Sequence, residues 1–167
     1  MMKDDFIEKH PNFKDALDSG RIDLFQLSLG GKNQAEIKEG LNNRLKITEL
    51  AQKVISSGNF QLSKERQVKF VSMLLSDLGL EGCSLVYKEI IGRAETMGLG
   101  ECPHDLLGIN NLCRVSGTLS MRPISYNTWM STTDEYVFTL ASKQLDAKNI
   151  GIMVKYSSGS RFVFTFI

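Results

Sequence analysis

Histidine is scarce in this chain: His10 and His104 are the only two among 167 residues. A hydrolase built on a thiol and an imidazole would have to pair His104 with Cys83 or Cys113, with Asp105 orienting the ring. Cys102, His104, Asp105 and Cys113 also hint at a zinc cluster, yet their spacing fits no common finger. A loop histidine beside buried or idle thiols is the simpler reading of both. Cysteine is equally sparing, with three residues and no C-x-x-C pair, so a disulfide framework is not expected and reduced thiols of a cytosolic compartment are. P-loop, dinucleotide-fold and zincin signatures are absent, and those chemistries lack their motif. No apolar run approaches the roughly eighteen residues a membrane span needs. The opening MMKDDFIEKHPNF has acids where a signal peptide needs bases and no apolar centre. The expectation is a cytoplasmic protein, or one delivered into a host cell by a dedicated secretion machine. An excess of either charge is also lacking: twenty lysines and arginines face nineteen acids, and the net charge of +1 predicts no strong attraction to nucleic acid or an anionic membrane. Finally, no glutamate follows Glu135, and Asp146 is the last acid.

What is present is an ordinary globular composition, 42% hydrophobic and 23% charged, in a length suited to one compact unit with its own core. Asp4 to His10 reads as a short helix stopped by Pro11, and Asn12 caps another through Asp18. Arg21 to Leu29 is an ambiguous apolar run closed by Gly30 and Gly31. Asn33 and Glu36 have capping-box spacing, and apolar residues at threes and fours predict a helix from Gln34 to about Ser57. Ser63 opens a further helix ending at Gly79, and another is expected from about Ser84 to Thr96. Gly98 to Pro103 is the expected internal boundary.

Beyond it the pattern turns to short β-prone runs: Leu112 to Val115, Tyr126 to Met130, Ile150 to Tyr156 and Arg161 to Ile167. Ser131 to Asp134 reads as a strand end passing into the cap of a helix from Glu135 to Gln144. The last run has Phe162, Phe164 and Phe166 on one side and Val163 and Thr165 on the other, so it should be covered on both faces or paired with something further. The fold expected is therefore α+β, with an N-terminal helical layer over residues 1–97 packed on a small mixed or antiparallel sheet from residues 98–167. From Asn111 on, Arg114, Arg122, Lys143, Lys148, Lys155 and Arg161 face only Asp134, Glu135 and Asp146, which suits either a phosphate-bearing ligand or a solvated mixed face.

Leu112-Cys113-Arg114, then Trp129-Met130-Ser131-Thr132-Thr133, then Ile150 to Gly159, give an order of arginine, serine-threonine strand end and aliphatic strand. That order resembles the mono-ADP-ribosyltransferases of the arginine–serine–glutamate class, which include bacterial toxins and virulence effectors. The resemblance covers residues 111–167. It implies NAD as substrate, cleavage of the bond between nicotinamide and ribose, and transfer of ADP-ribose to a protein acceptor. Arg114 would hold a phosphate of NAD through its planar guanidinium fork. Ser131 would orient the catalytic groups, Thr132 and Thr133 would shape the nicotinamide pocket, and Trp129, or less favourably Tyr136 or Phe138, would offer a stacking face. The residues also admit plainer readings, Arg114 as a surface arginine and Ser131 to Thr133 as a helix cap.

The chain departs from that family at two places. It has Cys113-Arg114-Val115 where an aromatic, arginine and glycine are common, and it lacks the later glutamate motif that binds ribose. The resemblance thus implies an NAD-site domain whose transfer activity is incomplete or absent. The alternative is a non-enzymatic, mostly helical module that binds a protein partner, with pairing through the C-terminal strand as one means.

Overall fold

The computed structural model describes residues 2–110, 112–125, 135–151 and 154–167. Its centre is one sheet of eight strands built from the whole length of the chain. The strands are β1 (Asp23–Leu29), β2 (Lys46–Ile47), β3 (Arg66–Leu74), β4 (Leu99–Gly100), β5 (Gly117–Ser125), β6 (Glu135–Ala141), β7 (Gln144–Asn149) and β8 (Arg161–Phe166). Their order is β1-β3-β8-β5-β6-β7-β2, with β4 also on β8; the β5–β8 and β2–β7 pairs are parallel and the others antiparallel. Helices α1 (Met2–Lys9), α2 (Lys14–Asp18), α3 (Gln34–Asn42), α4 (Glu49–Ile55) and α5 (Tyr87–Thr96) are short. None is long and apolar enough to cross a membrane.

This corrects the expected fold, a helical N-terminal layer on a small C-terminal sheet. β1, β2 and β3 all come from residues 1–97, the expected helical layer, with β1 in the ambiguous run Arg21 to Leu29. The decisive segment is β3, where Phe70, Val71, Ser72 and Met73 are buried in succession. A strand covered on both faces carries a continuous apolar run, which helical spacing can mimic. Ser63 caps no helix. The helix expected from Gln34 to Ser57 is split: α3 keeps its capping box at Asn33 and Glu36, β2 intervenes, and Thr48 caps α4 by accepting from Ala51 N–H.

Later expectations change in the opposite sense as well as the same one. The helix expected from Glu135 to Gln144 is the β6–β7 hairpin, turned by Ser142 and Lys143 with φ of +49° and +61°. Aromatic and β-branched residues from Tyr136 to Leu140 favour a strand, and pairing on both edges of β6 overrides local helical spacing. Leu112–Arg114 is a 3-10 turn rather than a strand.

Apolar side chains fill both faces of the sheet. On one, α3 and α4 supply Ile37, Leu41, Val54 and Ile55 against Phe70, Leu119, Phe138 and Val163. On the other, α1 and α5 supply Phe6, Ile90 and Ala94 against Val71, Val137, Phe162 and Phe164. The alternation of Phe162, Val163 and Phe164 thus serves two covered faces. β8 also has β3 along one edge and β5 with β4 along the other, so the C-terminal strand is interior and leaves no edge for a partner strand.

Candidate functional site

β5 and β8 run parallel only over Thr118↔Phe162 and Leu119↔Val163. Beyond those pairs a connector enters between them. Leu99 and Gly100 pair with Phe166 and Thr165 of β8, the chain turns at Glu101, and Cys102 pairs with Met121 of β5. Cys102 N–H donates to Ser120 O at 2.7 Å. Gly100 suits the approach, because a Cβ there would lie 3.0 Å from Thr165 Oγ1.

β5 is strongly bulged at the same level. Between Leu119↔Phe138 and Ile124↔Tyr136, β5 advances by 124 − 119 = 5 residues while β6 advances by 138 − 136 = 2. A bulge bends its strand and re-aims side chains. Ser120 and Met121 turn inward and are fully buried, whereas Arg122 is exposed. Pro123, which has no N–H to give the ladder, follows it. The result is an open cleft of about 600 Å³, walled by Gly98 to Pro103, Arg122, Thr165, Phe166, Ile167, Gln61, Arg66 and Val68.

Two buried side chains clamp the backbone on either side of Arg122. Tyr87, at the start of α5, donates its hydroxyl proton to Met121 O at 2.6 Å, the carbonyl of the peptide that carries Arg122 N. His104 reaches the next carbonyl. Its Nδ1 accepts from Gln61 N–H at 2.7 Å, so Nε2 carries the hydrogen and donates to Arg122 O at 2.8 Å. Burial holds His104 below the ordinary histidine range, which fits a neutral ring with both nitrogens engaged; the nearby Asp105 and the bond to Arg122 O act against that. The Arg122 side chain has no hydrogen-bond or ion-pair partner among the described residues. Arg66 differs: its guanidinium is bonded to the Ser63 hydroxyl, which in turn bonds Asp105, and stands 3.4 Å from Asp105 Oδ2.

Glu101 is the acid on the cleft wall. It is half-buried, and its Oε2 lies 2.7 Å from the Tyr87 hydroxyl. Burial raises its carboxyl above the ordinary range and the Glu95 charge adds to this, while Tyr87 and Arg122 oppose it. Tyr87 is itself pushed well above its usual range, first by burial and then by Glu101.

Arg114, expected to hold phosphate, is exposed at the end of its 3-10 turn. It lines a separate cavity of about 280 Å³ with Asp23, Phe25 and Ser72. Trp129, Ser131, Thr132 and Thr133 lie outside the described residues, as does the side chain of Cys113. The residues flanking 126–134, Ser125 and Glu135, pair at the end of the β5–β6 ladder opposite Gly117, which Arg114 precedes. Phe138 is fully buried and Tyr136 nearly so, so neither offers a stacking face to a ligand.

The thiol–imidazole reading loses its base, because His104 has given both ring nitrogens to backbone groups; of its two candidate thiols Cys83 is exposed and the Cys113 side chain lies outside the described residues. Among the described residues no three metal-binding side chains cluster, and the Cys113 side chain of the zinc reading lies outside them. Sequence reasoning missed Arg122, Glu101 and Tyr87 as a group. A signal did exist: Glu101 stands in the glycine-rich connector, and Arg122 precedes a proline within a β-prone run. No protein-family model, curated protein or solved structure matches the chain.

Proposed function

We propose that the chain is a binding domain for an oxyanion-bearing ligand, a carboxylate or phosphate compound, taken by Arg122 in the cleft between β5 and β8. One observation carries the reading. An exposed arginine without a described partner has its backbone fixed on both sides by buried Tyr87 and His104. Such positioning lowers the entropic cost of binding. A guanidinium offers a planar fork matched to two oxygens of one anion. Arg66 on the same wall is offset by Asp105, which leaves Arg122 to take the anion, and the cleft is open enough for a ligand larger than the anion itself.

The test is calorimetric titration with sulfate, pyrophosphate and succinate. Saturable binding weakened about tenfold or more by Arg122→Ala is expected, the loss typical of a charged hydrogen-bond pair. Absence of binding, or equal affinity in the variant, would reject this role.

A second reading retains NAD as substrate and ADP-ribose transfer to a protein acceptor. It draws on the exposed Arg114, which shares its cavity with the Phe25 ring. NAD belongs in the same titrations, and Arg114→Ala should weaken its binding while Arg122→Ala should not. The reverse pattern would assign NAD to the β5–β8 cleft.

A further inference from the structure

The Tyr87 hydroxyl has one proton and two oxygen neighbours, Met121 O at 2.6 Å and Glu101 Oε2 at 2.7 Å. A backbone carbonyl cannot donate, so both contacts are hydrogen bonds only when Glu101 supplies the second proton. With Glu101 protonated, a relay runs from its carboxyl to Tyr87 and from Tyr87 to the carbonyl of the peptide bearing Arg122. With Glu101 ionised, Tyr87 must choose. Donating to the carboxylate strips the Met121 carbonyl, and donating to the carbonyl leaves a half-buried carboxylate against the lone pairs of a phenol oxygen.

The charged surroundings point the same way. Glu95 of α5 disfavours a second negative charge, and Arg122 of β5 is the opposing cation. The Cys102 thiol beside Glu101 is buried and neutral, and the contact from β8 is the Thr165 hydroxyl, which donates to Glu101 O at 3.2 Å. An anion arriving at Arg122 offsets the charge that, among the described residues, favours ionised Glu101. It also brings a negative charge to the wall where Glu101 stands.

We propose that Glu101 is the proton-linked control of the cleft: it holds a proton while an oxyanion occupies Arg122, and its ionisation both repels the anion and releases the backbone clamp beneath that arginine. The proton exchanges with solvent through the open cleft. The proposal rests on the anion-binding role of Arg122 and specifies its regulation. Anion affinity then falls as pH rises, approaching about tenfold per pH unit where one proton is taken up per anion. A glutamine at this position can donate its amide hydrogen to Tyr87 at every pH and should remove the dependence.

Two measurements on the full chain test this. Carbon-13 spectra of the anion-free protein, with the Glu101 carboxyl assigned by its loss in Glu101→Gln, should show it titrating above the ordinary glutamate value of about 4.3. Sulfate, whose charge is constant over the range used, should bind wild type progressively more weakly from pH 5 to 8, and bind Glu101→Gln with nearly constant affinity. A Glu101 titration at the ordinary value, or the same pH profile in both proteins, overturns the switch while leaving the Arg122 site standing. Failure of sulfate to bind either protein overturns the site and the switch together.

Discussion

The two ends of the β5–β8 seam differ, and the difference locates the candidate site. At the start of β5, Gly117 has φ of +98°, and a Cβ there would lie 2.3 Å from Arg161 O, so the strands close as tightly as backbone permits. At the other end the same strands part around Glu101, β5 bulges away from β6, and a cleft opens. One end is closed by the absence of a side chain. The other is held open by side chains that bond to backbone, Tyr87 and His104, whose targets flank an arginine with nothing described to bind. A parallel pair thus gains stability at one end and a recognition surface at the other.

Breaking the closed end should have the largest effect. Gly117→Ala forces both a left-handed backbone and a clash with a main-chain carbonyl, and about 2–4 kcal/mol of unfolding free energy should be lost in urea denaturation. At the open end, His104→Ala leaves Gln61 N–H and Arg122 O without their partner. It should cost about 2–3 kcal/mol and also weaken sulfate binding, because the arginine loses its anchor. The pH profile sharpens this. Folding favours neutral His104, so its contribution is full above the ordinary value of about 6.5 and is lost as pH falls through the lowered folded value. The alanine variant should lack that acid-side component of the stability curve.

Arg122→Ala should separate binding from folding. Stability should stay within about 0.5 kcal/mol of wild type, as for an exposed side chain without partners, while anion affinity falls. The smallest effect on stability belongs to Glu101→Gln. The raised carboxyl makes its contribution full below about pH 4.3 and lost as pH rises through the folded value, so the variant should gain on wild type only as pH increases.

Much of the sheet was hidden in the sequence because its central strands are buried on both faces. Phe70 to Met73 shows no polar alternation, and Val68, Val71 and Leu75 satisfy helical spacing as well as they satisfy a strand. The final strand was legible, since Phe162 to Phe166 alternates aromatics with β-branched residues and required covering on both faces. α1 and the capping box of α3 were legible for local reasons, and α5 was found with its start placed too early. Arg114 was singled out by motif order, and the structure gives it exposure and a neighbouring cavity. Arg122 was not, because its setting depends on contacts from distant residues: Tyr87 opens a helix, Glu101 sits in a connector, and Gln61 holds the far nitrogen of His104. No local spacing records such a clamp.

The most direct test of the central claim is an amide nitrogen–proton spectrum of the full chain followed through a sulfate titration at pH 6. Saturable shifts should gather at Gly100, Glu101, Met121, Arg122 and Thr165, and should vanish in Arg122→Ala while its unperturbed spectrum remains that of a folded protein. Shifts that never saturate, or that gather instead around Arg114 and Val115, would contradict the assignment of the β5–β8 cleft.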